Sequence, residues 1–174
     1  DAISNDQKNL SYMRLQLVRN LINSMFAQRM NELSRKENPP FMQAYSYYGR
    51  MTKGKDIFTG IAIAENNKAD LALASLLTEM YRLRQFGFLE SEFERAKANL
   101  MRNYESRFME KDKRKNRELV YPLVSQFLYN QPNPGIEYDY AFVKAMLPGI
   151  SLKEINAEAT RYVRNDNRII TVTG

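Results

Sequence analysis

Two of the side chains that most often hold a proton or a metal near neutral pH are missing: the 174 residues contain no histidine and no cysteine. Ser-His-Asp and Cys-His arrangements, HExxH and HxxEH zinc motifs, cysteine-based zinc sites and Fe–S clusters are therefore excluded. Any metal would have to bind through oxygen alone. Carboxylates remain, with Glu90/Glu92, Glu92/Glu94 and Glu37/Asp56 as the candidate pairs. Acids two apart on a helix point in different directions, and no apolar pocket is predicted to gather them. Solvation is the better account, so the sequence offers no catalytic, cofactor-binding or metal-ligating residue.

Two other groupings could bind a partner. Tyr45, Tyr47 and Tyr48 crowd into one short stretch. They read as a contact surface or as ordinary packing on a half-buried sheet, the second being favoured. The stretch from Arg107 to Glu118 is almost all charge, with six basic and three acidic residues. Grooves for single-stranded nucleic acid add stacking rings to such a run, and none follows Phe108 here. The chain's net charge is +6, yet its acids are mixed through nearly every basic stretch. A solvated helix junction is expected there, with no nucleic acid as partner.

The elements that must position these residues follow from periodicity. Leu10, Met13, Leu17, Leu21, Met25, Phe26, Met30 and Leu33 recur at three- and four-residue spacing, which predicts a long helix. Ser4 and Gln7 have capping-box spacing, with Asn5 and Asp6 as rival caps. Arg19, Asn20, Asn23 and Arg29 are placed on its wet side. Asn38-Pro39-Pro40 stops it. Phe41 to Met51 and Ile57 to Ile63 then read as an antiparallel hairpin, joined by a loop of about four or five residues around Lys53-Gly54-Lys55-Asp56. Alternation puts Ile57, Thr59, Ile61 and Ile63 on one face, and Gly60 marks a bulge or a close approach of another backbone.

Helices dominate the rest. One carries Leu73, Leu76, Leu77, Met80 and Leu83 inward and ends at Gly87. The next begins near Glu90 or Ser91, with Ser91 and Glu94 as capping box, and buries Phe93, Ala96, Leu100, Tyr104 and Phe108. A short helix from Val120 to Tyr129 is expected to pack Leu123, Val124, Phe127 and Leu128 inward, with Pro122 in its first turn. Another spans Tyr138 to Met146. A last one starts at the Ser151–Glu154 capping box, stapled by Ile150 and Ile155. Arg168 to Thr173 reads as a strand buried in the middle of a sheet. The order implies one α+β domain over residues 1–174, an antiparallel sheet with several helices packed on one face. Three strands are few for this much helix, and the chain opens on Asp1, so the first strands of the sheet are expected to lie outside it. No stretch approaches the 18 or so apolar residues of a membrane span.

Several of these segments together resemble one family. Leu21 to Leu33 followed by Asn38-Pro39-Pro40-Phe41 is similar to a non-catalytic domain of the pitrilysin/insulinase zinc metallopeptidases. Gln85-Phe86-Gly87-Phe88 with Glu92 to Lys97 resembles that family's G-F-T-x-x-E-L-E-R-A-K helix start, Leu89 standing where the family often has a Thr cap. Pro134-Gly135-Ile136, Ile150 to Asn156 and Asn167 to Val172 fall in the family's order as well. The resemblance implies a repeated α+β domain that helps enclose a chamber, with zinc held by an HxxEH motif in another domain. The family's Arg and Tyr pair, seven positions apart on the domain opposite the zinc, has no counterpart: seven residues before Tyr45 stands Asn38, and Arg35 lies ten before it.

The expectation is thus an accessory, non-zinc-binding domain of a zinc metallopeptidase, forming chamber wall and supporting peptide substrate. The alternative is a binding or structural domain of an inactive homologue. The implied partners are a zinc-bearing domain of the same protein or of a partner chain, and a peptide or protein substrate. The resemblance tilts location toward the bacterial cell envelope or periplasm.

Overall fold

The computed structural model describes residues 9–52, 55–113 and 115–173. Helix α1 (Leu10–Ser34) opens where the Asn9 side chain accepts the Tyr12 N–H at 3.2 Å. The Ser4–Gln7 cap lies outside the described residues. Leu17, Val18, Leu21, Ile22, Met25, Phe26 and Met30 form its buried stripe. This helix is the axis of the core.

Strands β1 (Gln43–Thr52) and β2 (Lys55–Ile63) pair antiparallel, with Ala44 opposite Ala62, Ser46 opposite Gly60 and Tyr48 opposite Phe58. Those six positions face the helices. Tyr45 opposite Ile61, Tyr47 opposite Thr59 and Gly49 opposite Ile57 share the other face, because successive side chains alternate across a strand. The strands run further than expected, so Lys55 and Asp56 belong to β2 and not to a loop. The register shift lies between Arg50 and Thr52, away from Gly60. No other backbone comes close to Gly60 either: a Cβ there would meet only the side-chain ends of Met80 and Leu76 of the following helix.

Helix α2 (Ala69–Phe86) packs under β2, burying Ala72, Leu76, Glu79 and Leu83. It ends at Gly87, whose φ of +70° closes the last turn through an N–H bond to Leu83 O. Helix α3 (Glu90–Met109) starts after Leu89, with the Glu92 carboxylate accepting the Leu89 N–H at 2.7 Å. Leu89 has no side-chain acceptor, so only the carboxylate half of a capping box forms, and Ser91 and Glu94 lie inside the helix. A 3₁₀ turn (Lys111–Lys113) leads to α4 (Asn116–Tyr129), then come α5 (Ile136–Met146), a 3₁₀ turn (Leu147–Gly149) and α6 (Leu152–Tyr162). Ser151 caps α6 by accepting the Glu154 N–H, while Ile150 and Ile155 are both buried as a staple requires.

Three expectations are corrected. Arg19 is not on a wet face: it is 4% exposed beneath the hairpin. Its spacing of three and seven residues from Ile22 and Phe26 puts it on their stripe. Helix α4 buries none of Leu123, Val124, Phe127 or Leu128, and Phe127 is 89% exposed. Pro122 lies well inside this helix, past the first turn. Finally, Arg168 to Thr173 is exposed and outside the sheet, which among the described residues has two strands. A cavity separates this segment from β2, so neither backbone reaches the other. The architecture is α+β, a two-stranded antiparallel sheet with six helices.

Candidate functional site

The acids singled out in sequence do not converge. Glu92 is held by the Arg29 guanidinium at 2.6 and 2.7 Å, and Asp56 faces Arg19 at 3.4 Å. Glu37, Glu90 and Glu94 are exposed. Among the described residues, no three Asp or Glu side chains gather as a metal site would require. With neither imidazole nor thiolate in the sequence, the donors of this chain do not fit zinc.

The tyrosine group splits by strand parity. Tyr48 turns inward: the Arg19 guanidinium lies 3.8 Å above its ring, and the Tyr162 ring is 4.7 Å away. Burial pushes the Tyr48 hydroxyl above its ordinary pKa, with Arg19 opposing. Tyr162 is raised further, first by burial and then by neighbouring Glu158, to which its hydroxyl donates at 2.9 Å. Both phenols stay neutral and act as packing. Tyr45 and Tyr47 turn outward beside Ile57, Thr59, Ile61 and Ile63, on the face opposite to Tyr48. Tyr47 is 42% exposed, and Ile57 and Ile63 are also open. The arrangement is an apolar, aromatic sheet face available for contact.

Next to that face is an open edge. A cavity of about 620 Å³ lies between β2 and residues 168–173, with Ala72, Leu73, Leu76, Leu77 and Met80 of α2 among its lining. Its far wall is fixed by Tyr81, whose hydroxyl donates to Asn165 Oδ1 at 2.8 Å and accepts from Arg168 Nη1 at 2.7 Å. Asn167, in the left-handed region at φ +51°, turns the chain there. Leu73, Leu77 and Met80 are only half-buried because they border this space. Periodicity placed them on the buried stripe of α2 but gave no sign of the gap.

Three of the segments that carried the family resemblance, Leu21 to Leu33, Gln85 to Lys97 and Ile150 to Asn156, meet at one junction. Arg29 of α1 donates to Glu92 and, at 2.8 Å, to the Gly87 carbonyl, and stacks over the Phe88 ring at 4.7 Å. Asn156 of α6 accepts the Phe88 N–H at 2.8 Å and donates to its carbonyl at 3.3 Å. A Cβ on Gly87 would lie 2.5 Å from Asn156 Cγ. Burial opposes ionisation of Glu92, but the bonds from Arg29 and from the Leu89 N–H outweigh it and hold the carboxyl below its ordinary value. These three segments therefore build a joint between α1, α3 and α6. The basic run is a solvated junction: Lys111 pairs with Glu137, and Lys113 and Lys115 are exposed.

No family model matches the chain. In sequence it is 26% identical over 151 residues to a zinc protease PQQL-like protein of Arabidopsis thaliana, covering 87% of this chain and 13% of that relative. In structure it overlays the first half of the periplasmic protease PqqL of Escherichia coli with a TM-score of 0.78 at 18% identity, over 88% of this chain and 33% of that one. A protein from Yersinia pestis described as a predicted insulinase family protease matches with a TM-score of 0.70 at 15% identity, over 87% of this chain and 32% of that one. The fold is that of an insulinase-family peptidase domain. The chain spans about an eighth of the length of its sequence relative and about a third of these solved structures.

Proposed function

We propose that this chain is an accessory, non-zinc-binding domain of a zinc-dependent metallopeptidase. The observation that carries the reading is the combination of a peptidase-domain fold with a sequence that has neither the imidazole nor the thiolate of the usual zinc sites. Hydrolysis then depends on a metal held by another domain of a longer protein or by a partner chain. The residues of this chain contribute surface. Tyr45, Tyr47, Ile57, Ile61 and Ile63 give the outward face of the hairpin the apolar and aromatic character that grips extended peptide, and they form chamber wall beside the substrate. A periplasmic or cell-envelope location is part of the proposal, supported by the description of PqqL as periplasmic.

The test is kinetic. Tyr47→Ser and Ile63→Ser are introduced into the full-length protein, and cleavage of a quenched fluorescent peptide library is followed. A face that binds peptide uniformly in ground and transition states predicts KM raised about five- to tenfold with kcat and zinc content unchanged. Unaltered KM in both variants would remove the peptide-contact role. An unmutated full-length protein that cleaves no peptide would turn the reading toward an inactive homologue.

A further inference from the structure

We propose that the outward face of the hairpin selects uncharged, apolar segments of polypeptide about seven residues long. The inference rests on the peptide-contact role proposed above and deepens it by naming the class of segment that this surface accepts.

Register sets the composition of this face. Tyr45 lies opposite Ile61 and Tyr47 opposite Thr59, while Ile57 and Ile63 extend the β2 row. None of these six side chains is charged. Asp56 has the inward parity and meets Arg19, and Lys55 stands apart at the hairpin end. A charge that a ligand laid on the middle of the face would lose water and find no counter-ion, which penalises it. An aliphatic or aromatic side chain gains by the same contact. Shape agrees with this chemistry. A Cβ on Gly49 would lie 3.2 Å from the Tyr47 ring, so the ring leans over Gly49 and takes the place of the missing side chain. From Ile57 to Ile63 the β2 row runs about 20 Å, the span of an extended segment of the same length.

The side chains also favour an occupant that comes and goes. A face covered permanently by another domain has the character of a core, depleted of polar groups. Tyr45, Tyr47 and Thr59 instead each carry a hydroxyl, which water satisfies when nothing is bound. Tyrosine supplies a large contact area at small cost in side-chain entropy, as a surface that binds and releases requires.

Binding tests this without cleavage. Three fluorescent peptides of equal length carry an uncharged apolar segment of about seven residues, the same segment with two lysines, or the same segment with two glutamates. Their Kd values for the full-length protein, held in a metal chelator so that none is cut, are read by fluorescence anisotropy. The uncharged peptide is expected to bind at least about tenfold more tightly than either charged one. Thr59→Glu, at the centre of the face, is expected to narrow the gap to the lysine peptide about fivefold and to widen the gap to the glutamate peptide, and Thr59→Lys to do the reverse. Parent Kd values within about twofold of one another overturn the proposal, as do Thr59 variants that leave every ratio unchanged. Absence of binding by all three peptides overturns it as well, since the face would then be covered by another domain or a second copy. Tyr47→Ser separates this inference from the reading it rests on: binding weakened alike for all three peptides leaves the contact role standing while selection fails, and binding unaltered for all three removes both.

Discussion

Substituting Gly87 by alanine probes the junction on which the family resemblance rests. Gly87 sits at φ +70° and ψ −160°, a region essentially closed to residues with a Cβ, and forcing one there costs about 1–3 kcal/mol. The new Cβ would also lie 2.5–2.7 Å from the Asn156 side-chain amide, which must move. Moving it forfeits the two hydrogen bonds to Phe88, each contributing about 1 kcal/mol. Gly87→Ala is therefore expected to lose about 4 kcal/mol in all, a drop in Tm of about 10 °C for a chain of this size. Asn156→Ala alone removes the bonds without the strain and costs about 2 kcal/mol. In the double variant the collision is gone, so only the strain is added, and the total stays near 4 kcal/mol instead of about 6. Urea unfolding of all four proteins closes the cycle, with Gly149→Ala as a control, because a Cβ there meets nothing within 4 Å. A Gly87→Ala loss below about 1 kcal/mol, or strict additivity in the double variant, would refute the reasoning.

Two further predictions concern charge. The Glu92 carboxyl lies below its ordinary value when folded, so its stabilisation is present above the unfolded pKa of about 4.3 and is lost as pH falls through the folded value. Glu92→Gln should be less stable at pH 7, and the gap to the parent should narrow on acidification below about pH 4.3 in pH-resolved denaturant melts; parallel stability curves would contradict this. Arg19→Ala should cost about 3 kcal/mol, since it removes the guanidinium that lies over the Tyr48 ring and pairs with Asp56, and leaves its buried volume empty. Arg19→Met refills the volume but loses the same guanidinium contacts, so it should recover less than half of that loss in thermal melts, and full recovery would contradict the account.

Period and punctuation were enough to read the helices out of the sequence, because Leu17 to Met30 and Phe93 to Tyr104 repeat at helical spacing and Gly87 and Ser151 punctuate them. The two faces of the hairpin followed from parity alone, which is why Tyr45 and Tyr47 separate from Tyr48. Three things were hidden. Arg19 was read by its charge and not by its place on the Ile22–Phe26 stripe, and Tyr48, Asp56 and Tyr162, distant in sequence, make its burial tolerable. Helix α4 carries apolar residues at helical spacing, which says that a face exists to be covered but not that anything covers it. Likewise, β-branched residues at 169–172 declare a strand without declaring its partner, and pairing is a property of two segments. The resemblance motifs were recognisable one by one, whereas their meeting through Arg29, Phe88 and Asn156 required the fold.

The central claim is that this domain shapes a peptidase and performs no hydrolysis itself. Cleavage of an unfolded protein such as β-casein, followed by mass spectrometry for the 174-residue chain and for the full-length protein, with and without a zinc chelator, tests it most directly. The account predicts no cleavage by the 174-residue chain even with added zinc, and chelator-sensitive cleavage by the full-length protein. Chelator-sensitive cleavage by the 174 residues alone would contradict it.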